Sequence, residues 1–447
     1  MMQLRRTAVA ILAVATLVLT GCSASNNGGG NGSGSIRLNY WSEDDSGPPL
    51  AMDKKLVAQF NAAHPGVQIV FRSISNASFF TVMRNSFTSN NPPEIFQHEG
   101  DNNLFQFVQE NEVLPITDWW NKAGNGDRFT KGSSWQSVTY KGQIYGVPLT
   151  INTTNELYYN KKVLSAHGIN PAQLKTWPDY MAAFAKLKAA GVTPVAYGNS
   201  EGWPGSQWFY DILAKTAGAK KINQLIARNC GYKWTDPDVV QAAQLYTDIS
   251  NRGYFSPGKA SDDSNTSSAA FLGGKGGFYY MGNWLIQQIM DAPNASDFGM
   301  NTFPTVPGGK GGLGDVLVNA GGLALSKSVN TPAKKTAALA FLDWISSPQQ
   351  QQASVKIGNI SAVTAANVPS MESPLTRQVV NEQIKSSTGS FPFIEHVTPK
   401  AVGEDAIWQG SVAVLTGQAT PLSWMQSVEK AAEANPPTST LKADCSS

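Results

Sequence analysis

From Ile36 onward the chain alternates short β-rich runs with helical ones, and this alternation limits its possible folds more than any other feature. IRLNYW (36–41) and VQIVFRSI (67–74) alternate apolar and polar residues and are rich in β-branched side chains, the pattern of strands. Between them Met52, Leu56, Val57 and Phe60 recur at helical spacing until Pro65-Gly66 ends the element. A third strand is expected at PEIFQHE (93–99), again after a helical stretch. A βαβαβ order calls for an open sheet covered by helices, an α/β architecture. The body from about 36 to 447 is longer than a single core usually supports, so two domains are expected.

Later helices announce their starts. Asp236-Pro237, Thr331-Pro332, Thr398-Pro399 and Thr420-Pro421 each put a capping residue before a first-turn proline, where the missing N–H costs nothing. Thr176 with Asp179 makes a capping box ahead of DYMAAFAKLKAAG, whose Met181, Phe184 and Leu187 share one face and whose Gly191 stops it. TPVAYG (193–198) reads as the next strand. No second flexible linker follows, so the two domains are expected to be joined by extended segments that cross between them more than once. YKGQIYGVPLTINTTNELYYN (140–160) reads as one crossing, with a turn at Lys141-Gly142 and strands on either side of a polar stretch. FGMNTFPTVPGG (298–309) is a candidate for the return. Such crossings can absorb a hinge rotation.

The first 21 residues carry Arg5 and Arg6 and then an apolar run from Ala8 to Leu19. The run is shorter than the roughly 20 residues a membrane-spanning helix needs, and reads as an export signal. Its end, Leu19-Thr20-Gly21-Cys22, has the form of a lipoprotein box, with cleavage before Cys22 and acylation of its thiol. Residues 23–35 contain only Ser, Ala, Asn and Gly, which makes 22–35 a flexible tether with an end-to-end distance of roughly 20 Å. Two of the 34 Lys and Arg lie in the leader, leaving as many bases as the 32 acids. A formally neutral mature chain has no general attraction for nucleic acid or anionic membranes. Beyond the leader only Cys230 and Cys445 remain, and in an exported protein such a pair is expected to be oxidised; the alternative is two unpaired thiols.

Most catalytic signatures are missing. In FLGGKGGFYYMGNW (271–284) Ala269 stands five residues before Gly274 and Gly276 follows Lys275, so a phosphate-cradling loop fails at both ends. His98-Glu99 has Asn102 where a zinc protease needs its second histidine, and the four histidines are scattered at 64, 98, 167 and 396. No catalytic residue, metal or cofactor is expected. Glu43-Asp44-Asp45 directly follows a strand, and can be read as solvated acids, as partners for ligand hydroxyls, or as a hydrolytic pair. The aromatic load is more telling. Trp41, Trp119-Trp120, Trp203 in NSEGWPG, and Trp284 after Gly282-Asn283 stand in polar, loop-like contexts. Each can be a partly buried core residue; together with acids and amides they can also hold a sugar, whose C–H face stacks on indole and whose hydroxyls need polar partners.

These segments resemble, in order, the extracellular solute-binding proteins of carbohydrate ABC transporters, the family of maltose-binding protein and its oligosaccharide-binding relatives. YGVPLTINTTNELYYNKKVL resembles the family's first interlobe crossing, TWPDYMAAFAKLKAAGVTPVAYG the helix and strand after it, GKGGFYYMGNW its strand-to-loop signature, and GGLALSKS the strand that re-enters the first lobe. The resemblance implies a two-lobed periplasmic-binding-protein-like fold. Each lobe would be a mixed sheet flanked by helices, with 36–151 and 303–365 in one, 152–302 and 366–447 in the other, and crossing strands as hinge. It implies no enzyme but a monomeric receptor, anchored at the extracellular face of the cell membrane through Cys22 alone, that delivers an oligosaccharide to ABC permease subunits and their ATPase. Trp284 and Trp203 would be stacking aromatics, with Asn283 beside them. Glu43, Asp44, Glu99, Asp101 and Asn152 would come from first-lobe loops and the crossing, and Asp315, Phe393 and His396 would complete the site. A secreted glycan-acting enzyme and a receptor for a metal or polyamine are the alternatives.

Overall fold

The computed structural model describes residues 35–367, 371–437 and 443–445. The expected leader, Cys22 and the tether as far as Gly34 lie outside the described residues. Among the described residues no helix is long and apolar enough to cross a membrane, and no group of three or more His, Cys, Asp or Glu could hold a metal ion.

The βαβαβ start forms as the alternation dictates. Strands β1 (Ile36–Ser42) and β2 (Val67–Ser73) pair in parallel, joined by the helix Gly47–Ala63, which buries Leu56, Val57 and Phe60. Strand β3 (Ile95–His98) lies on the other side of β1. A hairpin of β4 (Thr139–Tyr140) and β5 (Gln143–Ile144) turns at Lys141 and Gly142, both at positive φ, and leads into the long strand β6 (Gly146–Thr154). Strand β7 (Glu156–Asn160) continues from β6 but joins a different sheet, where β8 (Phe278–Tyr280) and β9 (Phe298–Thr302) flank it antiparallel. Strand β10 (Asp315–Leu325) returns to the first sheet, antiparallel to both β3 and β6, and β11 (Gly389–Phe391) runs parallel to its first residues.

Two cores correspond to the two sheets. One gathers Leu38, Phe60, Phe96, Val147, Leu323 and Phe341, the other Leu157, Trp208, Tyr246, Phe278, Phe303 and Trp424. Along the smaller sheet successive residues face opposite ways: Leu157, Phe278 and Tyr280 enter the second core, whereas Tyr158 and Tyr279 enter a third cluster with Ile151, Leu285 and Ile360. Val195 adds parallel bridges to Phe255 and Phe278, and Cys230 and Cys445 are joined by a disulfide.

Three local expectations need correction. TPVAYG makes only the Val195 bridges and is no strand, because Pro194 has no N–H to give a ladder. FGMNTFPTVPGG is not the return: its first five residues are β9 of the second sheet, and Phe303 and Val306 pack into the second core, so the expected boundary at 302/303 falls inside one body. The return is β10, which begins beside Leu317 of the second core and ends at Leu323 and Leu325 of the first. Thr398 is not an N-cap but follows the short helix Ile394–Val397 as its C-cap; its hydroxyl donates to the carbonyl of Ile394, and Pro399 stands at the start of the short helix Lys400–Val402. The capping box at Thr176 forms, with the Asp179 carboxylate accepting from the Thr176 N–H at 2.8 Å.

The β6–β10 pairing is tight where its register shifts, between Gly321 and Gly322. A Cβ on Gly322 would lie 1.9 Å from the carbonyl oxygen of Val147. Gly322→Ala is therefore expected to destabilise the protein by about 2 kcal/mol or more, whereas Gly66→Ala, with nothing within 4 Å of the new Cβ, changes little. Urea unfolding of the two variants checks this; equal midpoints would mean that the crossing pair can spread without cost.

Candidate functional site

A cavity of about 1070 Å³ lies where the two bodies face each other, at the upper end of the usual range for ligand pockets. Its first wall is built at the ends of β1 and β3. Glu43 follows β1, and Gln97 holds it: the Gln97 Oε1 accepts from Ser42 Oγ at 2.6 Å and from the Glu43 N–H at 3.1 Å, while its Nε2 donates to the Glu43 carboxylate at 3.1 Å. Burial, and after it the charge of Glu99, pushes the Glu43 carboxyl well above the usual carboxylate range. Asp44 is raised by burial and then by Asp53, and Asp53 itself is pushed up by burial to about 6, against the pull of hydrogen bonds from Ser42 and Tyr40.

Glu99 stands where β3 turns. Gly100 makes the turn at φ +73, and a Cβ there would meet Ser137 at 2.7 Å and the carbonyl of Ala320 at 2.8 Å. The crossing strands hold Glu99 in place: Asn152 of β6 donates to its carboxylate at 3.2 Å, and Asn319 of β10 donates to its backbone carbonyl at 2.9 Å. Asn319 also reaches His396 Nδ1 at 3.2 Å. An amide NH₂ only donates, so Nδ1 accepts and the ring proton sits on Nε2. Burial lowers His396 to about 3, which keeps the ring neutral.

The second wall is aromatic. Trp203 opens the helix Trp203–Ala217 after Gly202, which is at φ +84. Trp284 meets it edge-on, with centroids 6.2 Å apart and planes at 60°. Phe393 lies 6.4 Å beyond Trp284 and stacks on His396 at 5.2 Å. Gly282 is glycine for space: its Cβ would lie 2.1 Å from the Trp284 ring. Trp408 also lines the cavity, with its β-carbon against Gly202.

Of the residues expected from the sequence, Glu43, Asp44, Glu99, Asn152, Trp203, Trp284, Phe393 and His396 line this one cavity. Three do not. Asn283 is buried and spends its carboxamide on the crossing strand, donating to the carbonyl of Ile151 at 2.9 Å and accepting from the Thr153 N–H at 3.2 Å. Asp315 braces the loop before β10, accepting from the Gly312 N–H at 3.1 Å. Asp101 starts the helix after Gly100, its N–H bonded to the carbonyl of Ser137, and is not among the lining residues. Sequence reasoning missed Gln97, Thr150, Glu201, Gln207, Glu395 and Trp408, all lining. Gln97 alone had a signal, as a polar residue inside the expected strand PEIFQHE and two positions from Glu99, on the same face by alternation. Trp408 ends a π-helical stretch, Gly403–Trp408, a feature common at functional sites but not legible in composition.

The sequence model of the bacterial extracellular solute-binding proteins matches residues 45–352. An uncharacterized ABC transporter extracellular-binding protein of Pyrococcus horikoshii is 25% identical over 352 residues, 76% of this chain and 75% of the relative. A multiple sugar-binding protein of Streptococcus mutans is 23% identical over 295 residues, 64% of this chain and 65% of the relative. A solved structure described under xylan utilization by Caldanaerobius polysaccharolyticus superposes with a TM-score of 0.81 at 25% identity, covering 88% of this chain and 99% of that one.

Asp101 provides a test of the local electrostatics. Burial pushes its carboxyl up to about 7. Because the folded value exceeds the unfolded one near 4, the folded state holds the extra proton in between, and stability falls as pH rises from about 4 to about 7. Two buried histidines, His98 and His396, both lowered to about 3, act in the opposite direction, so the comparison must be with a variant. Asp101→Asn should gain on the parent protein by about 1 kcal/mol or more between pH 5 and pH 8 in urea unfolding. Parallel pH curves would mean that the Asp101 carboxyl is hydrated like a surface acid.

Proposed function

This chain belongs to the bacterial extracellular solute-binding proteins, and we propose that within the family it is an oligosaccharide receptor. The observation that carries the reading is the meeting, in one cavity, of the Trp203–Trp284–Phe393 aromatic corner with the amides and carboxyls of Gln97, Glu99 and Asn152. Indole faces take the apolar side of a pyranose ring, and the opposite wall supplies acceptors and donors for its hydroxyls. A cavity of about 1070 Å³ has room for more than one ring. The Streptococcus mutans relative is described as a sugar-binding protein, and the solved relative comes from work on xylan utilization, which supports the same class of ligand.

The mechanism is differential binding. The ligand touches both walls together only when the bodies are closed, so it shifts the population toward the closed form that an ABC permease and its ATPase accept. Closure turns on β6 and β10, and two polar contacts across the cleft assist it: Arg84 with Glu404 at 3.6 Å, and the Asn102 amide donating to the carbonyl of Thr398 at 3.2 Å. Acylation at Cys22 would hold the receptor, as a monomer, at the outer face of the membrane on the tether of 22–35.

A thermal-shift screen of di- to tetrasaccharides tests the reading. A bound saccharide at 100 times its dissociation constant should add about 2.7 kcal/mol to stability and be recovered unchanged. Trp284→Ala should weaken that saccharide about 10- to 100-fold in calorimetry while keeping the parent's circular dichroism. Absence of any shift across the panel would refute the receptor of sugars, and hydrolysis of the bound saccharide would refute the receptor in favour of an enzyme.

A further inference from the structure

The cleft is lopsided in charge. Glu43, Asp44, Asp45, Asp53 and Glu99 line it from the first body. Glu201, Asp291, Glu395 and Glu404 line it from the second. Against these nine carboxyls the described lining offers a single guanidinium, that of Arg84, which already faces Glu404 at 3.6 Å. Among the described residues no lysine lines the cavity, and His396 is kept neutral by burial. Since bases and acids balance over the mature chain, the excess is local to the cleft.

A neutral saccharide does not call for this. Its hydroxyls both donate and accept, and walls that serve them mix donors with acceptors. Here nine carboxyls stand against one guanidinium. Gln207 also lines the cavity; the residue is 4% exposed and its Oε1 accepts from no group among the described residues. A buried acceptor without a donor costs stability until a ligand supplies one. The ligand group that only donates is a protonated amine, and the faces of Trp203 and Trp284 attract the same cation.

We propose that the ligand of this cleft is an amino-sugar oligosaccharide, whose ammonium group sits among Glu43, Asp44 and Glu99 while its ring faces rest on the Trp203–Trp284–Phe393 corner. The proposal rests on the receptor reading above and narrows its ligand class. Burial and then the charge of Glu99 push the Glu43 carboxyl well above the usual carboxylate range, toward its protonated form. An arriving ammonium stabilises the ionised carboxylates and displaces that proton, so one cation replaces another and binding releases protons to solvent. The charges that act on Glu43 are those of Glu99, Asp44 and Asp45, with Gln97 bonded to it, while Asp53, Glu395 and His396 line the same cavity.

The test is calorimetric titration with oligomers of glucosamine, N-acetylglucosamine and glucose of one linkage and length, within a wider panel in which every neutral saccharide is paired with its amine-bearing counterpart. At about pH 6, where the amine holds its proton, amine-bearing members should bind about tenfold or more tighter than their neutral partners. Their apparent enthalpy should also change with the ionisation enthalpy of the buffer, revealing released protons. Glu99→Gln should reduce both the preference and the proton release, with circular dichroism and the urea midpoint as the control for folding. A neutral saccharide that binds as tightly as its aminated partner, or amine binding without proton release, overturns the proposal and leaves the sugar receptor standing. If no saccharide of either kind binds, and still more if spermidine alone does, the sugar reading falls with it.

Discussion

Everything in the cleft depends on the antiparallel pairing of β6 with β10. These strands connect the two bodies, β6 outbound from Gly146 to Thr154 and β10 inbound from Asp315 to Leu325. In their register Asn152 stands opposite Asn319, and both reach Glu99, one to its carboxylate and the other to its backbone carbonyl. The hinge therefore positions a wall of the site directly. A slip of one residue would turn both amides to the other face of the sheet and leave Glu99 without them. The register is held from both ends: Gly322 admits the Val147 carbonyl where a side chain could not fit, and Lys215 donates to the carbonyls of Gly312 and Asp315 where β10 begins. That lysine is fully buried among carbonyls and near Asp211, and burial draws its pKa down to about 8.

The second theme is charge placed where folding alone would not put it. Burying a carboxyl is costly unless it is paired or protonated, and the first wall buries several close together. In the folded core such acids have partners: Glu94 takes hydrogen bonds from Asn39 and an ion pair from Lys334 at 2.6 Å. Glu43 takes a hydrogen bond from Gln97 and Asp53 one from Tyr40, yet after burial the charge of Glu99 still raises Glu43 and that of Asp53 raises Asp44. A local departure from the rules of a stable core is what a binding site requires, because the interaction that relieves it comes from outside the chain.

How much of this could be read from the sequence depends on how locally each feature is encoded. The βαβαβ start, the crossing at 140–160 and the capping box at Thr176 are set by periodicity, turn residues and near neighbours, and all were legible. The return crossing was placed by the family resemblance, at GGLALSKS, and not by local pattern, because GGLGDVLVNAGGLAL owes its strand to partners far away along the chain, in β3 and β6, whereas FGMNTFPTVPGG looks as extended by itself. TPVAYG failed for the same reason in reverse: its composition suits a strand, but only Val195 finds bridges. In the site, residues at strand ends and aromatic loop positions could be picked out. Gln207, Glu395 and Trp408 could not, because they come from helical segments whose orientation toward the cleft is a tertiary fact. Asp101 and Asp315 have the right chemistry in the right segments and fall outside the lining, which one sequence cannot reveal.

Residues 282–284 bring the hinge and the ligand wall together. Gly282 is small so that the Trp284 ring can fold back over it, Asn283 bonds to the backbone of β6 at Ile151 and Thr153, and Trp284 faces the cavity beside Trp203. Three consecutive residues thus tie the stacking surface to the crossing strand by backbone geometry and two side-chain hydrogen bonds. The Asn283 N–H adds a third bond, to the carbonyl of Thr153 at 3.1 Å. A rotation at β6 must either break these bonds or carry Trp284 with it. Breaking them would leave buried polar groups unsatisfied at a cost of about 1–3 kcal/mol each, so the indole moves with the strand. The aromatic corner is in this sense part of the hinge, and the angle at which the bodies meet sets the face that the cleft presents to its ligand.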